Sequence, residues 1–404
     1  MNNAGASGWW ALPRGAWVAL CVFAAAAAVD VSGADHAHGG HASQTTVQGV
    51  VSLDVYRDGD TLHLLTGENG TNDAAPAVIY RRSDDSGATW SIPVRVDQGM
   101  AASYGGRRGN DYQVAASGKR VVAVWMTRGS GWGGSGPLAT ARSSDGGKTW
   151  RAGANPAGDG ATAGQSFAEI MANRGSFHIV WLDSRDKNQG LRYARSTDGE
   201  KTWTPSTTLD AQTCECCWNS LLSTESGIYA LYRDKSPRDM VLLNSPDGGK
   251  SWHTMATVGA FNWQIDACPE TGGALAMTPA KILHAMIWTG REDAVGLYHL
   301  VSADQGRKWA APRRVGGEMA RHADMAVAPS GVIVAAWDEL IRGEWMIMAS
   351  VSSADGSSWS VPRRLSDSRS QATHPRVVTT RQGFRVFWTE QEKDQPRVWK
   401  SAVF

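Results

Sequence analysis

The chain of 404 residues is poor in cysteine (5) and phenylalanine (7), has no surplus of either charge sign, and has no apolar run of 18 residues. A helix needs about 20 apolar residues to cross a bilayer, so the mature chain is expected to lack a membrane span. Lys+Arg of 40 against Asp+Glu of 39 leaves a formal net charge of +1, with no basic stripe and no acidic tail. Nucleic acid and anionic membrane surfaces therefore gain no electrostatic support as partners. Several reaction signatures are also missing: Gly-x-Ser-x-Gly, His-Glu-x-x-His, a phosphate-binding glycine loop and Cys-x-x-Cys-His. No residue stands out as a nucleophile, and the chain leans away from being an enzyme.

What is present is glycine (45) and tryptophan (19) in a chain that is 42% apolar, a composition suited to many short strands and tight turns. At the N-terminus, Arg14 precedes the apolar run 16–29, and small residues follow at Val31-Ser32-Gly33-Ala34. That pattern suits a cleaved Sec-type signal peptide over 1–34 and export to the periplasm or beyond. A short His-rich segment, 35–44, comes next with His36, His38 and His41, and is followed by one domain over 45–404.

Internal repetition decides the expected architecture. The pattern Ser-x-Asp-x-Gly-x-[Thr/Ser/Lys]-Trp runs from Ser83 to Trp90 and recurs at Ser143–Trp150, Ser196–Trp203 (with Glu200 in place of the Gly), Ser245–Trp252 and Ser302–Trp309, with a shortened copy at Ser353–Trp359. Its aspartates fall at 85, 145, 198, 247, 304 and 355, a mean spacing of 54. The carboxylate accepts N–H bonds from its own turn, glycine takes a positive φ, and tryptophan folds back between sheets. These aspartates are read as turn-holders rather than catalysts. An apolar strand ending in an aromatic occurs six times, the last at Phe384–Trp388 without a box after it, and Thr61–Leu65 is a weaker first copy without the aromatic. Seven strands and six boxes imply an all-β, seven-bladed β-propeller of four-stranded blades, six blades being the alternative. The last blade is expected to borrow its outer strand from Thr45–Val50, which would close the ring without a long free edge. His63, His178 and His284, in apolar strands, are expected to be buried and hydrogen-bonded.

Repeated boxes of this kind resemble the sialidase (neuraminidase) superfamily of Asp-box, or BNR-repeat, propellers over nearly all of the mature chain. That resemblance implies exo-α-sialidase-type glycoside hydrolysis or sugar-acid binding as one reading. The family's first arginine stands in a Phe/Tyr-Arg-Ile-Pro stretch, and here the matching region reads Val55-Tyr56-Arg57-Asp58. The chain is more similar to a bacterial branch carrying Thr-Cys-x-Cys-Cys and a later Cys-Pro, present as Thr213–Cys217 and Cys268-Pro269. The resemblance to that branch implies a link with periplasmic copper handling.

In a propeller whose boxes join strands 3 and 4, the segments entering each innermost strand ring the opposite channel mouth. Those segments are Tyr104–Tyr112, Gly164–Glu169, Thr213–Trp218, Gln264–Cys268, Met319–Met325 and Thr373–Pro375. They carry Cys214, Cys216, Cys217, Cys268, His322 and Met325, with Met319 and His374 beside them, a thiolate, imidazole and thioether set that prefers copper as Cu(I), with zinc second. If 214–217 is extended, Cys214 and Cys216 share a side and Cys217 points away. Disulfides are the alternative. Residues two apart on a strand lie about 7 Å apart, which disfavours Cys214–Cys216 but leaves Cys214 or Cys217 to Cys268 feasible. His36, His38 and His41 form a possible second metal site. Arg128, Arg185, Arg233 and Arg291 follow strand-2 aromatics and could bind an anion or a sugar acid bidentately, although ordinary salt bridges explain them as well.

The leading expectation is a periplasmic propeller that binds a soft metal for sequestration or delivery, with a periplasmic or outer-membrane metal-transport partner. The sugar-acid reading and a disulfide-stapled interaction scaffold are the alternatives.

Overall fold

A computed structural model describes residues 49–404 apart from 70–74, 105–108, 110, 159–163, 186, 187, 200 and 368. The expected signal segment and the histidines His36, His38 and His41 lie outside the described residues. Among the described residues no helix is long and apolar enough to cross a membrane.

Seven antiparallel sheets follow one another in chain order. Their first strands are Val50–Asp58, Tyr112–Ser117, Gln165–Asn173, Ser220–Thr224, Gly273–Met277, Ala320–Val327 and Ser370–Thr380. Each first strand packs beside the first strand of the next sheet, and Val50–Asp58 also meets Ser370–Thr380, so the sheets close as blades of a propeller with these strands innermost. Six blades have four strands in the order 1-2-3-4; among the described residues the seventh has three. The fourth strand expected from Thr45–Val50 is not formed by Val50, which instead opens the innermost strand of blade 1. Its N–H donates to Arg397 O at 2.8 Å, beside the outer strand of blade 7, so the two blades are still seamed there.

Second strands such as Arg120–Arg128 and Ser176–Asp183 are buried along almost their whole length because both faces meet neighbouring blades. Trp125, Trp181 and Trp337 are fully buried on them. The indole N–H of Trp181 reaches Asp183 (2.9 Å), and that of Trp337 reaches Glu339 (2.8 Å). A period of two puts acceptor and indole on the same side of the strand.

The boxes form the expected turns between strands 3 and 4. In the first, Asp85 accepts N–H and O–H bonds from Thr89 while Ser83 Oγ accepts the Gly87 N–H. Each box tryptophan then wedges against the preceding blade. Trp150 meets Tyr80 (5.2 Å between ring centres), Trp252 meets Tyr193 (5.0 Å) and Trp359 meets His299 (5.0 Å). Trp90 of blade 1 meets Phe387 and Trp399 of blade 7. His63, His178 and His284 are buried and bonded to Tyr80, Tyr193 and His299 respectively.

Candidate metal centre at the channel mouth

The entry to blade 4 is a folded loop rather than an extended strand. Thr213 bridges to Asp234, the Cys214 N–H donates to Arg233 O (3.0 Å), and the chain then turns at Glu215-Cys216 before Ser220–Thr224 begins. This corrects the expected alternation of the cysteines. The turn brings Cys217 back onto Cys214, with sulfurs 2.7 Å apart, while Cys214 and Cys216 are 3.8 Å apart. All three are buried among Phe167, Leu182, Tyr232, Val241 and Trp218, and Cys268 packs against the same cluster and reaches the Cys216 thiol.

Positive charge surrounds this pocket. Glu215 is drawn outward by Arg238 (3.0 Å) and Lys235 (3.1 Å). Arg233 donates to Thr271 O, Arg238 O and Trp288 O, and so ties the cysteine loop to the Cys268 loop. Burial works to raise the Cys214 thiol, but hydrogen bonds from Cys216 and Cys217 and the nearby Arg233 charge outweigh it and hold Cys214 well below the usual thiol range. Burial, reinforced by the Cys214 neighbour, pushes Cys216 and Cys217 up. The pocket thus eases ionisation at Cys214, and ionised sulfur is the form that ligates a metal.

His322 is not in the thiol cluster. It stacks on His374 with ring centres 4.0 Å apart, and its Nδ1 lies 2.8 Å from Asp338. Trp218, immediately after Cys217, stands edge-on to both rings. Met325 is buried in an apolar cluster with Trp263, Trp288 and Trp337 between blades 5 and 6, a cluster that contains no cysteine. A bulge between Arg321 and Asp324 sets this division by holding His322 at φ 41° and turning the strand so that Met325 faces the core.

Each of the four arginines has a partner of its own close by. Arg233 is 2% exposed and bonded to carbonyls, its burial following from its place directly after Tyr232 inside the strand. Arg185 pairs with Asp183 (2.5 Å), Arg291 pairs with Asp293 (2.7 Å), and Arg128 lies over the Tyr104 ring (5.3 Å). Deeper in the channel, Arg376 pairs with Asp54 (3.2 Å) and lies 3.5 Å from Glu169, joining innermost strands of blades 7, 1 and 3. Burial, opposed by Arg376, raises the Glu169 carboxyl to about 8. Sequence reasoning missed Asp338 and Trp218 as site residues. A carboxylate within the apolar strand of Trp337 was the available signal for the first.

The chain matches the model of the BNR repeat-like domain over residues 62–281. It belongs to that family. This BNR repeat-like chain forms a seven-bladed β-propeller. Similar solved structures include the NanB sialidase of Streptococcus pneumoniae, at 10% identity and a TM-score of 0.47, covering 88% of this chain and 66% of that one. An α-L-arabinanase of Penicillium chrysogenum matches at 11% identity and a TM-score of 0.49, with 88% and 98% covered. YCF48 bound to D1 peptide matches at 14% identity and a TM-score of 0.49, with 86% and 90% covered. The BNR repeat-like chain thus spans just under two thirds of the pneumococcal enzyme, and likeness at this level says nothing about its chemistry. A search of curated proteins finds no match.

Proposed function

We propose that this propeller binds a soft transition-metal ion, Cu(I) ahead of Zn(II), in the thiol pocket at its channel mouth, for sequestration or delivery in the periplasm. One observation carries the reading: the sulfurs of Cys214, Cys216 and Cys217 lie within 4.8 Å of one another in a buried pocket. Thiolate ligands select Cu(I) and zinc among available ions, and binding releases the remaining thiol protons. Three sulfurs suit Cu(I); recruitment of Cys268 would complete a four-thiolate set of the kind that holds structural zinc. The absence of an open coordination position in such sets favours storage or hand-over to a metal-transport partner rather than turnover.

Metal content and free-thiol count on protein purified anaerobically from copper-supplemented periplasm test this. About one copper per chain, lost in Cys214→Ser and Cys216→Ser, is the expected result. Metal-free protein with Cys214 and Cys217 joined as a disulfide would overturn it.

A further inference from the structure

We infer that His322, Asp338 and His374 form a second metal site, separate from the thiols, that takes a borderline divalent cation such as Zn2+ or Cu2+ through two imidazoles and one carboxylate. This inference does not rest on the thiol reading.

The arrangement of the ring nitrogens carries it. One ligand atom from each of the three residues lies within 4.8 Å of the other two. A ligating histidine is normally anchored through its other ring nitrogen, which fixes its orientation. His322 has that anchor, with Nε2 donating to Glu270 O at 3.1 Å and Nδ1 turned toward Asp338 at 2.8 Å. His374 has one too: its Nδ1 meets Thr373 Oγ1 at 3.0 Å, and its Nε2 is buried with no hydrogen-bond partner. An unpaired buried nitrogen is costly, and coordination would satisfy it. Asp338 is oriented as well, accepting the His374 backbone N–H at 3.0 Å.

The backbone is bent to make this meeting. Both histidines sit at bulges in the innermost strands, at φ 41° for His322 and 54° for His374, in the region that L-residues avoid. Left-handed residues other than glycine concentrate where function over-determines the chain. Gly109 leaves room for this ring, since a Cβ there would lie 2.2 Å from His374. In the metal-free state His322 Nδ1 and an Asp338 oxygen lie 2.8 Å apart, close enough to share a proton. A cation bound there takes the place of any proton the two groups share, that proton leaves to solvent, and no electron changes hands.

The test uses the full-length protein with His36, His38 and His41 changed to alanine, so that the N-terminal imidazoles do not compete. Equilibrium dialysis against Zn2+ counts the ions, and quenching of indole fluorescence by Cu2+ reports on position, because Trp218 lies 5.3 Å from the His374 ring. One equivalent should persist in Cys214→Ser/Cys216→Ser protein. That equivalent should vanish in His374→Gln and in Asp338→Asn, each checked for native fold by near-ultraviolet circular dichroism, and part of the Cu2+ quenching should vanish in Trp218→Phe. Full stoichiometry in folded His374→Gln and Asp338→Asn proteins would overturn the site, whatever the thiols bind.

Discussion

Trp218 meets the His374 ring edge to face at 5.3 Å, although the two residues enter the propeller on blades 4 and 7. It touches Phe167 of blade 3 at 5.3 Å and His322 of blade 6 at 5.9 Å as well. One indole therefore spans the channel mouth from blade to blade, with the cysteine loop directly behind it in sequence. Replacing it with alanine should expose the thiols by local opening and raise their rate of reaction with a bulky thiol reagent on the order of tenfold or more. Trp218→Phe should keep the slow rate. Equal rates in all three native proteins would mean that the indole does not guard the pocket.

Asp183 should matter to stability and not to metal. Its carboxylate pairs with Arg192 at 2.9 Å, both side chains fully buried, and also takes Arg185 and the Trp181 indole. Removing one partner of a buried pair typically costs about 3–5 kcal/mol because the other charge is stranded. Asp183→Ala should lose that much in urea unfolding, Asp183→Asn less, with metal content per folded chain unchanged.

Stability should fall in acid through the buried histidines of the second and third strands. Burial lowers His63, His178 and His284 to about 4 and His299 to about 3. An unfolded histidine titrates near 6.5, so below about that pH the unfolded chain binds more protons than the native one. This contribution is complete above about 6.5 and is lost as pH drops through the folded values. Glu169 has the opposite sign: its folded value of about 8 makes the native state lose stability as pH rises from the ordinary carboxyl range toward 8. Urea midpoints measured from pH 4 to 9 should show both limbs, and Glu169→Gln should flatten only the alkaline one.

The box glycines divide into two kinds. A Cβ on Gly249 would fall 1.6 Å from the Tyr193 hydroxyl of blade 3, whereas one on the adjacent Gly248 would meet nothing within 4 Å. Both have positive φ, so alanine strains the backbone at either. Only Gly249→Ala adds an overpacked contact, which typically costs about 1–3 kcal/mol more. Matching thermal shifts for the two variants would show that blade 3 yields instead.

The architecture was legible because its signals are local: the box turn and the aromatic-ending strand recur with the chain, and each copy announces a blade. The thiol pocket was half legible. The residue types and their convergence followed from blade order, but the Glu215-Cys216 turn did not, and an extended reading sent Cys217 to the wrong side. Met325 and His322 are three residues apart, yet they part company at a bulge that periodicity alone does not reveal. Asp338 and His374 belong to different blades and meet only after the ring has closed, a relation that no spacing encodes.

The direction in which the box tryptophans lean also sets an order of assembly. Trp150, Trp203, Trp252, Trp309 and Trp359 each dock on a blade that precedes them in the chain, so those five interfaces need only residues already synthesised. Trp90 is the exception, because its partners Phe387 and Trp399 are made last. A growing chain can thus stack its blades one upon another as it emerges, while the first wedge stays bare until the seventh blade arrives. The apolar flank of blade 1 is the surface a chaperone would have to shield during that interval.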